Sequence, residues 1–192
     1  MRFFSTLALV ASASAAATGL TSRGSDNDHG KKCLKQKDVD YLVNAYKSII
    51  NKWEAPKADF IADQGFFDYS DSINTIAGLP TGFPIFPNKE AFVAYQTATP
   101  DNLPLVIVEV GPWNCNQITV IWTATFTKVD GAVPLPVRGI AIIEGSYNKS
   151  QKDWEIQSLK VELNSMNFYR NTGGVCYRPE APTVEVPEVT TV

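Results

Sequence analysis

The chain has 192 residues, of which 44% are hydrophobic and 19% are charged, and this suits one globular domain with tails. Its net charge of −3 at pH 7 is mild and no basic stripe is present, so nucleic acid is not the expected partner. The single histidine, His29, lies in a polar segment near the N-terminus, which excludes a Ser-His-Asp triad in a pocket and any mechanism that needs two histidines.

The first 17 residues have the pattern of a secretory signal peptide. Arg2 supplies the positive end, Phe3 to Val10 is mostly apolar, and Ala13-Ser14-Ala15 fits the small-x-small cleavage pattern. The apolar run is shorter than a bilayer needs, and no later stretch is long enough either. We therefore expect a secreted, extracellular protein with no membrane segment. Residues 18–32 are rich in Gly, Ser, Asp and Asn and predict a disordered lead-in.

The strongest helix signal runs from Asp38 to Trp53. Its apolar residues recur at spacings of three and four, which is typical of the buried face of an amphipathic helix. They are Val39, Leu42, Val43, Tyr46, Ile49, Ile50 and Trp53. Asp38 suits the N-terminus of a helix, where an acid is favourable. The pattern predicts a long helix that covers the apolar face of a sheet.

The next part of the chain is more mixed. Pro56 favours a short helix, and Asn88 is suited to cap a helix that continues to about Thr97. Between them, residues 65–77 mix aromatic side chains with aspartates and predict extended structure. Residues 78–87 are rich in Gly and Pro and predict a loop.

Four strands are predicted in the second half of the chain. They run from Leu103 to Val110, from Gln117 to Thr127, from about Leu135 to Tyr147 and from Trp154 to about Asn164. Trp122 lies on an apolar face that alternates with threonines, as in a strand with one buried face. Short polar turns predict antiparallel neighbours, and Gly139 and Gly145 predict bends that curve the sheet. Residues 179–192 are rich in Pro, Glu and Val and predict a disordered tail.

Several short motifs carry a family resemblance. They are Phe67–Asn74, Asn114-Cys115 before the Trp122 strand, Gly139-Ile140 and Glu162–Ser165. With the order of elements, they resemble the nuclear transport factor 2-like, or SnoaL-like, family, and more narrowly a group of small secreted fungal proteins. The resemblance implies an α+β fold over residues 33–178, in which a curved antiparallel sheet wraps around the long N-terminal helix as a cone-shaped barrel. It implies no single function, because the fold hosts enzymes of several classes and non-enzymes.

The resemblance also bears on the three cysteines, which allow one internal disulfide and leave one thiol. The secreted group often has a further cysteine near Gly78, where this chain has leucine and proline. If Cys115 is the usual partner of that missing cysteine, Cys115 is the free one. We therefore predict a disulfide between Cys33 and Cys176, with Cys33 and Cys115 as the alternative pair.

The sequence also bears on glycosylation and on metal or cofactor binding. Asn148-Lys149-Ser150 is a sequon for N-glycosylation in a predicted turn, where a glycan has room. Three cysteines and one poorly placed histidine do not favour a metal site. No Gly-rich phosphate loop is present, and we expect no cofactor.

The candidate catalytic residues are the carboxylates Asp68 and Glu162. On a regular strand Asp68 and Asp71 point to opposite faces, so only one of them would enter a pocket. Buried against the core, Asp68 would have a raised pKa and act as a general base. The alternative is that these carboxylates hold backbone groups or a strand end, and that Glu162 pairs with Lys160.

The expected ligand-binding set combines these acids with nearby polar and aromatic groups. It consists of Asp68, Tyr69, Trp122, Glu144, Glu162 and Asn164. For Trp122 the alternative is a place in the core.

Three functions remain open at this stage. The first is a protein that binds a small apolar ligand in the cone. The second is a cofactor-independent cyclase, isomerase or dehydratase that uses one buried carboxylate. The third is an extracellular interaction protein with no catalytic role. The sequence leaves the oligomeric state open, with a homodimer among the alternatives.

Overall fold

The computed structural model describes residues 32–99 and 103–176, and every structural statement below refers to these residues. The predicted signal peptide, the lead-in up to residue 31 and the C-terminal tail from residue 179 lie outside them. In the described part, no helix is both long enough and apolar enough to cross a membrane.

The elements follow one another as helices first and long strands later. In chain order they are α1 (Gln36–Asn51), a 3-10 helix (Ala55–Phe60), β1 (Phe67–Tyr69), α2 (Asp71–Ala77), β2 (Pro84–Phe86), α3 (Lys89–Ala98), β3 (Leu105–Trp113), β4 (Gln117–Phe126), β5 (Leu135–Asn148), β6 (Asp153–Leu163) and α4 (Ser165–Asn171).

The six strands form one curved, unclosed sheet in the order β2-β1-β6-β5-β4-β3. The four long strands β3 to β6 are antiparallel neighbours, as predicted. The short strand β1 joins β6 in parallel, and β2 then pairs with β1 in antiparallel. The α+β architecture predicted from the sequence, a curved sheet around a long N-terminal helix, is confirmed.

Helix α1 buries its predicted apolar stripe against the concave face of the sheet. Its side chains and the inward side chains of the strands, Trp122 among them, form one hydrophobic core. The helix begins two residues before Asp38, whose carboxylate accepts a hydrogen bond from the backbone N–H of Lys35 at 2.9 Å. It ends at Asn51, whose side chain bonds both the N–H and the C=O of Leu105 at the start of β3. The last residue of α1 thus positions the edge strand.

The prediction of extended structure for residues 65–77 was only partly right. It forms the short strand β1 and then the helix α2. The hydroxyl of Ser70 accepts a hydrogen bond from the N–H of Ile73 at 3.1 Å and caps the helix. The helix ends at Gly78, which has φ of 69° and takes the left-handed conformation that glycine adopts without steric cost. The capping residues Ser70 and Gly78 therefore favoured a helix here more strongly than the aromatic composition favoured a strand.

Helix α4 is a second element that the hydrophobic pattern did not predict. Asn164 caps it by accepting a hydrogen bond from the N–H of Asn167 at 3.1 Å. At the other end the buried Asn171 side chain bonds the N–H and the C=O of Leu135, at 2.9 and 2.7 Å. These contacts fix α4 across the end of the cone where β5 begins.

The disulfide joins Cys33 to Cys115, and the prediction of a Cys33–Cys176 bridge was wrong. The N–H of Leu34 donates to the carbonyl of Cys115 at 2.9 Å, which holds the start of α1 beside the turn between β3 and β4. Cys176 follows α4, which contacts the opposite end of these strands, and its thiol is free and exposed. The bridge therefore ties α1 to the sheet rather than joining the two ends of the domain.

Candidate functional site

A cavity of about 540 Å³ lies between α1 and the concave face of the sheet. Its wall is mostly apolar and draws on every layer of the fold, with Ile50 from α1, Ile73 from α2, Phe92 from α3, Val161 from β6 and Phe168 from α4. The cone is thus hollow rather than filled by its own side chains.

The register of the strands shows how the cavity is oriented. Asp68 on β1 lies beside Leu159 on β6, and Leu163 lies four residues further along β6, about 13 Å away in an extended strand. Both leucines line the cavity, so Asp68 is displaced toward one end. Several exposed residues also line the cavity and mark its opening, namely Leu79, Tyr95, Lys128 and Thr172. Asp68 is therefore buried at the end of the cavity that lies away from Lys128 and Thr172.

Asp68 is the carboxylate of the cavity lining and is only 9% exposed. Burial raises the pKa of its side chain to about 7, and a hydrogen bond from the backbone N–H of Tyr69 lowers it slightly against that effect. Near neutral pH such a group is present in both protonation states. It can therefore accept a proton or a hydrogen bond, or donate one, at the bottom of an apolar cavity.

Tyr46 on α1 is the second polar group at this depth, with 1% of its surface exposed. Burial raises the pKa of its hydroxyl, and the nearby negative charge of Asp68 raises it further. The hydroxyl therefore keeps its proton and serves as a hydrogen-bond donor. Ser70 also lines the cavity, but its oxygen accepts the bond that caps α2.

Trp122 lines the cavity, and its indole lies flat against Gly139 on the neighbouring strand. A Cβ atom at Gly139 would stand 2.2 Å from Cζ2 of the indole, so only glycine fits there. Within the described residues the indole Nε1 has no hydrogen-bond partner. The pairing of Trp122 with Gly139 gives a physical reason for two residues that carry the family resemblance.

Two of the predicted site carboxylates lie outside the cavity. In β6, Leu159, Val161 and Leu163 face the cavity, so Glu162 between them faces outward. Its carboxylate accepts hydrogen bonds from the N–H groups of Asp71 and Ser72, at 2.9 and 3.1 Å, and from the Ser72 hydroxyl. Glu162 therefore holds the first turn of α2 instead of contacting a ligand.

Glu144 has a similar structural position on β5. Its carboxylate bonds the side chains of Asn116 and Ser158, at 3.1 and 3.0 Å. The inward residues of this strand are its odd-numbered ones, such as Ala141 and Ile143, so Glu144 lies on the outer face. It joins three segments of the sheet and does not line the cavity.

Tyr69 and Asn164 also do not line the cavity. Tyr69 alternates with Asp68 along β1 and points away from the cavity, with its hydroxyl 3.4 Å from the Asp71 carboxylate. Burial and the charge of Asp71 raise the pKa of this hydroxyl. Asn164 is used as the cap of α4. Of the six predicted binding residues, the structure therefore brings Asp68 and Trp122 together in the cavity wall.

Tyr46 is the cavity residue that the sequence did not single out as functional. It was predicted as one member of the apolar stripe of α1. A usable signal exists, because it is the tyrosine in a stripe that is otherwise mostly aliphatic. A phenol that is buried by its helix needs a polar neighbour or an opening into a cavity.

The usual metal ligands are spread apart in the described residues. In the parts of the chain that the structure describes, no three histidine, cysteine, aspartate or glutamate side chains come close enough to hold a metal ion. At the buried end of the cavity, the carboxylate of Asp68 and the hydroxyl of Tyr46 are polar groups available to a bound molecule, within a mostly apolar wall.

A curved sheet that wraps around a long N-terminal helix and leaves an internal cavity defines the nuclear transport factor 2-like class of α+β cones. The sequence agrees with the fold, because the family profile of the NTF2-like domain matches residues 32–175. The chain belongs to the NTF2-like family. No curated protein matches the sequence significantly.

Solved structures share the fold at low sequence identity. An NTF2-like protein of unknown function from Burkholderia pseudomallei is 11% identical, with a TM-score of 0.53 over 71% of this chain and 98% of that one. A candidate polyketide cyclase from Bacillus cereus is 15% identical, with a TM-score of 0.51 over 74% and 87%. A candidate SnoaL-like polyketide cyclase from Shewanella denitrificans is 6% identical, with a TM-score of 0.50 over 71% and 97%. These likenesses concern the fold alone.

Proposed function

We propose that this protein binds a small apolar molecule in the cavity of the cone. The observation that carries the proposal is a volume of about 540 Å³ enclosed by apolar side chains with one buried carboxylate at its deep end. Pockets for small molecules typically have volumes of roughly 300 to 1,000 Å³, apolar walls and a few polar groups that orient the ligand. Asp68 and Tyr46 are the orienting groups, and Trp122 contributes to the wall.

The test is a calorimetric titration with 1-naphthaleneethanol, a neutral molecule with two fused rings. Val161→Trp places a large side chain in the cavity and should abolish the binding seen with the wild type. Lys160→Trp is the matched control, because this neighbouring residue is exposed and points away from the cavity. Equal binding by all three proteins would place the probe outside the cavity, and no binding by any of them would contradict the proposal.

A second candidate function is proton transfer on the bound ligand without a cofactor, as in a cyclase, isomerase or dehydratase. The observation that favours it is the pKa of Asp68, which burial raises to about 7. A general base is most effective when its pKa lies near the working pH. In this reaction Asp68 would take a proton from carbon, and the Tyr46 hydroxyl would donate a hydrogen bond to the oxygen that gains negative charge.

Proton transfer can be measured directly with an apolar ketone that has exchangeable protons. We expect the wild type to accelerate deuterium exchange into 2-tetralone in heavy water, followed by proton NMR, and Asp68→Asn to lose this acceleration. Asp130→Asn removes an acid from the turn between β4 and β5 and is the control. Exchange that is equally fast with Asp68→Asn would rule out Asp68 as the base and leave the binding function in place.

We also propose that the protein is exported and belongs to the secreted fungal group that its Phe67–Asn74 run resembles. The signal-like first 17 residues support export, and the Cys33–Cys115 disulfide is of the kind that persists in oxidising compartments. Expression in a eukaryotic secretory host tests this. The medium should contain a chain that begins near residue 18, and retention of the full chain inside the cell would contradict export.

Glycosylation at Asn148 is part of the same proposal. The residue lies at the end of β5, where its side-chain oxygen accepts hydrogen bonds from the N–H groups of Ser150 and Gln151. Its Nδ2 donates to Glu155 at 2.8 Å, a bond that a glycan would have to share or replace. A mass shift that an endoglycosidase removes, and that Asn148→Gln lacks, would support the modification. An unshifted wild-type mass would contradict it.

A further inference from the structure

We propose that the ligand of this cavity is a hydrophobic amine, which binds as its ammonium ion with the positive charge on the Asp68 carboxylate. The inference rests on the proposed binding function and adds the charge class of the ligand to it. Three features of the cavity support it: the buried acid without an ion pair among the described residues, the aromatic wall, and the separation of this acid from Lys128, the other charged residue of the lining.

The first feature is that no ion pair of Asp68 is found within the described residues. Lys52, Lys57 and Lys89 form ion pairs with surface acids, and none of these pairs includes Asp68. A carboxylate that is buried without a cation loses the solvation that water would give to its charge. A ligand that brings an ammonium group supplies the missing charge and a charge-assisted hydrogen bond.

The groups that face Asp68 are neutral. They are Tyr46 of α1, whose hydroxyl feels the charge of Asp68, and the neighbours of Asp68 on the two adjacent strands, Leu159 of β6 and Phe86 of β2. The nearest charged residues of β6, Lys160 and Glu162, point to the outer face of the sheet. A bound cation would therefore meet one negative charge and no competing positive charge at this end of the cavity.

The second feature is the aromatic wall. Seven of the residues that line the cavity are aromatic, namely Tyr46, Phe86, Phe92, Tyr95, Trp122, Phe126 and Phe168. Aromatic faces attract alkylammonium and arylammonium ions through the ring quadrupole, and they also bury the hydrocarbon part of such a molecule. An amine with an aromatic or alicyclic body therefore matches both the wall and the deep acid.

The third feature is the position of Lys128, the other charged residue that lines the cavity. Lys128 follows β4 at the opening, and Asp68 lies in the row of Leu159 and Ile118 at the deep end. Ile118 lies at the start of β4 and Lys128 two residues beyond its end, so the lysine is separated from Asp68 by the length of that strand. A neutral ligand would displace water from the Asp68 carboxylate without replacing its charge, so above neutral pH the site should prefer an amine to an isosteric alcohol.

The experiment compares three probes of nearly equal size by calorimetry. They are the cation of 1-naphthaleneethylamine, the neutral 1-naphthaleneethanol and the anion 1-naphthaleneacetate, which is a carboxylate. At pH 8 we expect the wild type to bind the amine at least tenfold more tightly than the alcohol. Asp68→Asn should reduce this preference to about twofold or less. A second readout needs no variant, because protonation of Asp68 should weaken amine binding by the wild type about tenfold between pH 8 and pH 5, with little change for the alcohol.

The outcomes separate this inference from the proposed function. If the alcohol binds the wild type as tightly as the amine, or more tightly, the inference is wrong and the binding function stands. If the acetate binds best, the charge that selects the ligand is positive and the inference is also wrong. If none of the three probes binds, the proposed function fails with it.

Discussion

Asp68 connects the cavity to the stability of the fold, because its side chain is charged in the unfolded chain at neutral pH and buried in the folded one. The folded protein holds the Asp68 proton up to about pH 7, whereas the unfolded chain loses it near the ordinary pKa of 3.8. Between these two values the unfolded state is favoured increasingly as the pH rises. The contribution of Asp68 to stability is therefore fully present below about pH 4 and is lost by about pH 7.

The first prediction concerns the free energy of unfolding of Asp68→Asn relative to the wild type. This difference should rise between pH 4 and pH 7.5 in favour of the variant, by on the order of 4 kcal/mol. Urea denaturation at the two pH values measures it, with Asp130→Asn as the control for an exposed acid. A difference that is the same at both pH values would mean that the carboxylate is solvated in the folded state.

The second prediction concerns Gly139, against which the Trp122 indole lies. A methyl group in Gly139→Ala would overlap the indole, so the indole must move toward the cavity, at a cost of about 1–3 kcal/mol. Gly111→Ala is the matched control in β3, because its nearest neighbour would be the carbonyl of Thr119 at 3.4 Å. Urea denaturation and titration with 1-naphthaleneethanol should both show the larger loss for Gly139→Ala. Equal effects of the two variants would contradict the tight contact.

Individual site residues could be predicted only where burial and strand alternation agree. Trp122 and Asp68 were found because each was expected on the buried face of a strand. Glu162 was misplaced, although the leucines and valine at alternate positions of β6 already showed which face was apolar. Tyr46 was missed because its helix stripe accounted for its burial without any reference to its hydroxyl.

At the scale of elements, the wall of the cavity depends on the short helix α2. Its first turn is held by the Glu162 carboxylate from β6 and by the Ser70 cap. Ile73 of this helix lines the cavity. An outward-facing glutamate thus supports an inward-facing surface, although it does not reach the ligand itself.

The third prediction tests this support. Glu162→Ala should destabilise the first turn of α2 by about 1 kcal/mol, because two backbone N–H groups lose their acceptor. Hydrogen exchange of the amides of residues 71–74 should become faster, and the affinity for 1-naphthaleneethanol should fall. Glu109→Ala removes an exposed glutamate from β3 and should change neither. Unchanged exchange in α2 would show that Ser70 suffices to hold the turn.

The elements that the sequence predicted well are those with long periodic patterns. Helix α1 and the four long strands are long enough for the spacing of their apolar residues to repeat several times, which makes the pattern distinct from chance. Helices α2 and α4 have seven residues each, and their main signals are the caps Ser70, Gly78 and Asn164. Because such short helices owe their stability to tertiary contacts, hydrophobic periodicity alone does not reveal them.

At the scale of the whole molecule, the Cys33–Cys115 bridge closes a long loop. The two cysteines are separated by 82 positions, and the bridge fixes the start of α1 against the sheet. The sequence did not determine this pairing, because three cysteines allow three different single disulfides. Which one forms depends on which two cysteines meet in the fold. A backbone hydrogen bond from Leu34 to Cys115 lies beside the bridge.

The fourth prediction follows from this pairing. Replacing Cys33 and Cys115 with serine should lower the free energy of unfolding by about 2–4 kcal/mol, since the unfolded chain is no longer cross-linked. Cys176→Ser should have little effect, because its thiol is exposed and free. Urea denaturation measures both, and thiol titration of the denatured wild type should find one free thiol per chain. A strong loss of stability in Cys176→Ser would contradict the assigned bridge.

Both the binding function and the preference for an amine depend on the carboxylate of Asp68, buried at one end of the cavity. A carbon-13 NMR titration of the side-chain carboxyl groups, with Asp68 assigned through Asp68→Asn, tests this burial most directly. We expect a midpoint near pH 7 for Asp68 in the protein without ligand. A midpoint near pH 4, as for an aspartate in water, would contradict it.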